Sequence, residues 1–257
     1  VSIVSDVFKS GRKALIGYIT VGHPAPGRTV EIARTLAAGG CDIIELGIPF
    51  SDPLGDGPTI QQSSFTALQQ GMTPEQCLET AAAIRKETDR PLLFMSYYNP
   101  ILSYGDEAFF RGAAKAGVNG FILPDVPPEE GARLEGYAAA NGLDYVYLLA
   151  PTSTDARIKT ITEHSTGFVY LVSLTGVTGA RETLPPELED FINRVRSFTD
   201  KPLAVGFGIG TPAQARRVAN VADGVIVGSR IIRLIEEDAS LKELGSFLAS
   251  LREAIDM

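Results

Sequence analysis

Eight short apolar runs divide the chain, at 15–20, 42–47, 92–96, 120–124, 144–149, 168–173, 203–207 and 224–227. Their hydrophobicity is continuous rather than alternating, as expected for parallel strands covered on both faces. Between them the pattern changes to a helical period. Thr29–Ala38 places Val30, Ala33 and Ala37 on one face. Thr73-Pro74-Glu75-Gln76 and Thr211-Pro212-Ala213-Gln214 each read as an N-cap, a first-turn proline and a capping-box glutamine. Eight strands alternating with helices over 257 residues predict one α/β domain, residues 1–257, folded as a (β/α)8 TIM barrel. A doubly wound sheet uses the same elements, but eight repeats at this length favour closure. Residues 1–11 suggest an extra amphipathic helix under the barrel, and a short helix is expected after the eighth strand. The interval after the second strand is the longest, and it falls on the barrel face where active-site loops sit.

Composition narrows the chemistry. The net charge of −8 disfavours a phosphate-coated polymer, so nucleic acid is not an expected partner. A small anion remains compatible, since backbone N–H groups at helix N-termini bind phosphate without lysine or arginine. Cys41 and Cys77 read as reduced core thiols. With only His23 and His164 and no cysteine cluster, neither a zinc site nor a Ser-His-Asp triad is expected, so no metal is assigned and carboxylates must carry any proton chemistry. No apolar run reaches membrane-spanning length and the first residues do not resemble a signal. A cytoplasmic protein is expected, with a processed plastid form as the alternative.

The candidate chemistry lies in residues 42–61. Alternation in the second strand sends Ile44 and Leu46 towards the helices, and Ile43, Glu45 and Gly47 into the barrel near its C-terminal rim. A carboxyl there is partly desolvated, which raises its pKa towards neutrality. Asp56 follows in a loop between Gly55 and Gly57, free to fold over the mouth. Asp52, in Ser51-Asp52-Pro53, reads as a turn initiator. Glycines after the seventh strand (Gly206, Gly208, Gly210) and Gly228-Ser229 after the eighth stand where barrels often hold phosphate. The stretch 174–181, small and glycine-bearing, is a candidate lid. Tyr170 alternates inward and reaches either a carboxylate or an aromatic ligand; a core tyrosine is the other reading.

Glu45-Leu-Gly-Ile-Pro-Phe-Ser-Asp-Pro-Leu-Gly-Asp-Gly-Pro-Thr-Ile-Gln closely resembles the signature of the tryptophan synthase α-subunit family. The resemblance extends along nearly the whole chain, through Tyr18-Ile-Thr, Ser96-Tyr-Tyr-Asn-Pro, Pro124-Asp125-Val-Pro, Tyr170-Leu-Val-Ser with Gly176-Val-Thr-Gly, Gly206-Phe-Gly-Ile and Gly228-Ser229. It implies a barrel that cleaves indole-3-glycerol phosphate to indole and glyceraldehyde 3-phosphate by a retro-aldol reaction, late in tryptophan biosynthesis.

The resemblance also implies roles for particular residues. Glu45 and Asp56 would be the catalytic acids, and Tyr170 would orient Asp56 or line the pocket. Tyr18, Met95 and Ile122 would contact indole, and Thr178 would hold Asp56 when the lid closes. Gly179, Gly208, Gly228 and Ser229 would seat the phosphate. A β subunit carrying pyridoxal phosphate would dock on the loop holding Pro49, Asp52 and Pro53 and on the Asn99 region, in an α-β-β-α complex, with no cofactor in this chain. Alternatives are a stand-alone lyase releasing free indole, a non-catalytic activator of the β subunit and, more distantly, a phosphosugar isomerase barrel. Some positions depart from the family's common pattern. Gly55 stands where alanine is usual, which suggests a looser loop, and His23 where aspartate is common, which suggests altered contacts to the lid. Leu174 and Thr175 follow a subset of the family.

Overall fold

Strands apolar on both faces are stable only between two layers, and the chain provides both. The computed structural model describes residues 2–172, 187–206 and 208–257. Its strands are β1 (Ala14–Thr20), β2 (Ile43–Gly47), β3 (Leu92–Met95), β4 (Gly120–Ile122), β5 (Asp144–Val146), β6 (Leu148–Leu149), β7 (Val169–Val172), β8 (Leu203–Gly206) and β9 (Gly224–Val227). All pairings are parallel, in the order β5-β4-β3-β2-β1-β9-β8-β7-β6.

The two ends of that order, β5 and β6, are halves of the single run expected at 144–149, parted at Tyr147. The break leaves no backbone group stranded. The Tyr147 N–H donates to Ser165 Oγ at 3.0 Å and its carbonyl accepts from the Tyr170 N–H at 3.1 Å. The chain therefore steps from β4's neighbour to β7's neighbour across one residue, and the sheet closes as a TIM barrel.

Side chains split into two cores by strand parity. Ile44, Leu46, Phe94, Phe121, Leu171, Val205 and Val225 face outward and merge with the apolar faces of the helices. Ile16, Ile43, Leu93, Ile122, Val146, Phe168, Ala204 and Ile226 fill the barrel. On helix Thr29–Ala38 the buried stripe centres on Ile32, Ala33 and Leu36, with Val30 and Ala37 at its flank. The expected stripe is rotated because the two largest apolar side chains, rather than the alanines, dominate the burial gain.

The N-caps form as read. Thr73 and Gln76 make the reciprocal capping box. Thr211 accepts from the Gln214 N–H, whereas the Gln214 amide oxygen reaches further back, to the Gly210 N–H at 2.9 Å. The surplus after β2 is a second helix: Pro58–Gln69 and then Pro74–Arg85 precede β3. The first helix, Ile3–Phe8, is shorter than the amphipathic stretch. Val4 reaches the inner core and the Phe8 ring lies 5.7 Å from Phe168, so this helix closes the N-terminal end of the barrel. Both cysteines are buried and free. No helix among the described residues is long and apolar enough to cross a membrane.

The N-terminal end is pinned by an ionic hub on Asp42, the residue before β2. Its carboxylate accepts the Leu15 N–H at 2.9 Å and Arg252 Nη1 at 2.7 Å. Arg252, on the last helix Lys242–Asp256, also donates to the Lys13 carbonyl at 2.8 Å. Removing one partner of a buried pair leaves the other desolvated and unpaired. Arg252→Leu is therefore expected to destabilise the fold by about 3 kcal/mol, read from urea denaturation, and Asp42→Asn in the same chain should recover part of that loss.

Candidate active site

At the opposite end of β2 the register places Glu45 between Tyr18 of β1 and Leu93 of β3. Its carboxyl is 0% exposed and has no hydrogen-bond partner among the described residues. The sequence suggested partial desolvation at the rim; the structure buries the group completely. Burial alone raises its pKa to about 8, so at neutral pH it holds its proton.

Two glycines make room beside it. A Cβ on Gly47 would strike the Tyr18 hydroxyl, and one on Gly206 would strike that of Tyr170. The Tyr18 hydroxyl lies 3.4 Å from Thr20 Oγ1, which bonds Ser63 Oγ at 2.6 Å. Both phenols are pushed up, first by burial and further by the charges of Glu45 and Asp56. The two acids thus act on the same pair of inner tyrosines, one from a strand and one from a loop.

Asp56 sits in a tight turn of that loop. Its N–H donates to the Pro53 carbonyl at 3.0 Å and its own carbonyl accepts from Gln61 Nε2 at 2.9 Å. The Gly55 N–H donates to the Tyr97 hydroxyl at 2.9 Å, and the Tyr97 ring stacks on Phe50 with centroids 5.3 Å apart. Asp56 is half-buried; desolvation raises it to about 6, opposed by its hydrogen bond with Tyr97. A cleft of about 280 Å³, its open mouth included, lies between this loop and the barrel, walled by Tyr18, Ile48, Phe50, Asp56, Met95 and Tyr97 among others. Glu45 is not on its wall; it is sealed in the barrel beside Tyr18, which is.

The remaining expected residues fall into three sets. Met95 lines the cleft, while Ile122 is fully buried in the inner core. Gly228 caps helix Ser229–Glu237 and lies 3.4 Å from Tyr18 Cβ, measured from where its own Cβ would be, which sets this N-terminus beside a residue of the cleft wall. The first amide bonded inside that helix is Ile232, to the Gly228 carbonyl at 3.0 Å, which leaves the amides before it without a partner in the helix. Gly208 is exposed with φ +83°, a turn that L side chains rarely adopt. Thr178 and Gly179, like Leu174 and Thr175, lie outside the described residues. Of the expected docking residues Asp52 and Asn99 are exposed, whereas Pro49 is buried and Pro53 is buried on the cleft wall.

Tyr97, Phe50 and Gln61 were not singled out from the sequence. Tyr97 had a signal, since it continues the inward parity of Leu93 and Met95 past the end of β3. His23 is also buried, with Nε2 3.1 Å from Glu236 on helix Ser229–Glu237; desolvation, outweighing Glu236, lowers its pKa.

The likeness to known proteins covers the whole barrel. The sequence model of the family described as tryptophan synthase alpha chain matches residues 4–254. The chain belongs to this family. The tryptophan synthase alpha chain of Dehalococcoides mccartyi is 52% identical over 255 residues, spanning 99% of this chain and 100% of its own. Among solved structures, Mycobacterium tuberculosis tryptophan synthase superposes with a TM-score of 0.93 at 38% identity, covering 100% of this chain and 99% of that one. The alpha subunit from Legionella pneumophila gives 0.91 at 36% identity, covering 100% and 99%.

As a tryptophan synthase alpha chain, this one has a structural reason for Gly55. A Cβ there would lie 3.1 Å from the Tyr97 hydroxyl. The glycine admits the close approach that lets Tyr97 hold the turn.

Glu45 also leaves a mark on stability. Its folded pKa lies above its value in the unfolded chain, so between the two the native state binds more protons and stability falls as pH rises. Glu45→Gln removes that dependence. Its stability relative to the parent should therefore improve by about 1 kcal/mol per pH unit from roughly pH 5 to 8 and level off above. Urea denaturation across that range reads the trend; parallel curves for the two proteins would contradict the assignment.

Proposed function

We propose that the chain cleaves indole-3-glycerol phosphate to indole and glyceraldehyde 3-phosphate, with Glu45 and Asp56 as its two catalytic acids. The observation that carries this reading is a pair of unlike carboxyls acting on the same two tyrosines, Asp56 on the cleft wall and Glu45 sealed in the barrel behind Tyr18. Glu45 is buried and neutral at pH 7, while Asp56, at about 6, is mainly ionised.

Cleavage needs both states together. Protonated Glu45 delivers its proton to indole C3, converting the ring to an electrophilic indolenine. Asp56 carboxylate accepts from the indole N–H and stabilises the positive charge that develops there. Glu45, now a carboxylate, takes the proton of the glycerol hydroxyl as the carbon–carbon bond to C3 breaks. Its electron pair returns to the ring and the hydroxyl carbon becomes the aldehyde. Glu45 ends protonated, and the cycle closes without an added oxidant or base.

Tyr18, Met95 and Ile122 would surround the indole, and Tyr170 would hold Asp56 in place. The amides of Gly228 and Ser229, at the start of helix Ser229–Glu237, would receive the phosphate together with Gly208, helped by the helix dipole; Thr178 and Gly179 would complete the site. The family name implies a β partner for the released indole. We assign its docking surface to the exposed loop around Asp52 and to Asn99, in an α-β-β-α complex, with pyridoxal phosphate belonging to that subunit.

The test is indole release from indole-3-glycerol phosphate by the purified chain, alone and with a β subunit. Glu45→Gln and Asp56→Asn should each lower kcat by about 10²–10⁴-fold with unchanged circular dichroism. Near-parental turnover in either variant would remove that residue from the chemistry.

A further inference from the structure

The Asp56 turn is held by contacts from within this chain, and the most telling of them comes from a residue outside the cleft. Helix Pro58–Gln69 begins at Gly57, which offers no side-chain cap, and its fourth residue is Gln61. The Gln61 N–H is committed to the Gly57 carbonyl at 3.0 Å, fixing its backbone in the helix. Its side-chain amide turns back over the helix start, with Nε2 2.9 Å from the Asp56 carbonyl and 3.5 Å from that of Pro53. The Asp56 N–H also closes on the Pro53 carbonyl. One amide group therefore clasps both ends of the turn that aims the Asp56 carboxyl, without touching the carboxyl.

We infer that Gln61 is a positioning residue for Asp56, an internal clasp that orders the catalytic turn when the chain is alone and becomes redundant once a partner covers the loop. The inference rests on the proposed role of Asp56. Three features support it. The clasp acts through main-chain carbonyls, so it fixes the direction of Asp56 rather than its charge. It joins the loop to the start of a helix, the nearest rigid body in sequence. The outer edge of the same loop is left bare: Leu54 is 87% exposed and Asp52 is exposed beside it. A partner lying on that edge would order the turn from outside, while Gln61 orders it from within.

The donor is what matters, so the test separates donor from length. Gln61→Met keeps the reach and loses the N–H; Gln61→Lys keeps a donor at similar reach. Turnover of indole-3-glycerol phosphate is measured for the parent and both variants, alone and with the β subunit, alongside thermal melting. Misplacing a catalytic group slightly costs up to about 10²-fold in rate. For the chain alone Gln61→Met should therefore lower kcat by about 10-fold or more, with KM within about 2-fold and an unchanged melting temperature. Gln61→Lys should stay near the parent, and adding the β subunit should bring Gln61→Met to within about 3-fold of the parent complex. Equal losses with and without the β subunit, equal losses in both variants, or parental kcat in Gln61→Met alone would overturn the inference. A parent chain inactive even in the complex would instead defeat the functional reading beneath it.

Discussion

The carboxyl of Glu45, removed from water and without a hydrogen-bond partner among the described residues, is the constraint around which this barrel is built. An unsatisfied buried polar group costs about 1–3 kcal/mol, and the ionised form would cost far more, so the site keeps its proton. The strand that bears this cost is anchored at its other end. Asp42, three residues earlier, is bonded to the Leu15 N–H and to Arg252, so β2 enters the barrel from a hydrogen-bonded ionic site at its N-terminal end. Below Glu45 the inner core is apolar, closed by Val4, Phe8 and Phe168. Stability is concentrated at one end of the barrel and tension between burial and charge at the other, the division of labour that this architecture allows.

The two acids differ in what fixes them. Glu45 is held by strand register and by neighbours packed to the point where Gly47 and Gly206 must lack side chains for the Tyr18 and Tyr170 hydroxyls to fit. Asp56 has no such frame. Its turn depends on individual hydrogen bonds, from the Gly55 N–H to Tyr97 and from Gln61 to its own carbonyl. A strand position is set by the whole fold and changes with difficulty. A position set by two or three hydrogen bonds lies within the few kcal/mol that a bound ligand or partner supplies.

This difference also explains what could be read from the sequence. The barrel was legible because its signals are local and repeated: apolar runs at strand length, Thr-Pro-x-Gln caps, and the alternation that turned Glu45 inward while Ile44 and Leu46 turned out. Closure at Tyr147 was not legible, because what breaks the run 144–149 is a side chain distant in sequence, Ser165, taking the Tyr147 N–H. The stripe on helix Thr29–Ala38 was misplaced because spacing alone gives alanine the same weight as isoleucine. At the site, residue type and the family signature pointed to Glu45 and Asp56. The supports of Asp56 were missed because Tyr97 and Gln61 carry no chemistry of their own and gain a role only when the loop folds onto them.

The proposed chemistry asks two carboxyls eleven residues apart in sequence to hold opposite charge states at one pH, and unequal burial is enough to provide it. Complete desolvation takes Glu45 to about 8; half-burial, opposed by the Tyr97 hydrogen bond, leaves Asp56 at about 6. A ligand entering the cleft would remove more water from Asp56, which alone would raise it and erode the separation. An indole ring in the proposed pose would bring its own N–H donor to the same carboxylate, and a hydrogen bond to the charged form works in the opposite direction. Glu45 has no water left to lose. Its charge state is set before the substrate arrives, whereas that of Asp56 is preserved only by a substrate offering a donor at the right place. In the proposed reaction the Glu45 end of the site would supply the acid and the Asp56 end much of the discrimination.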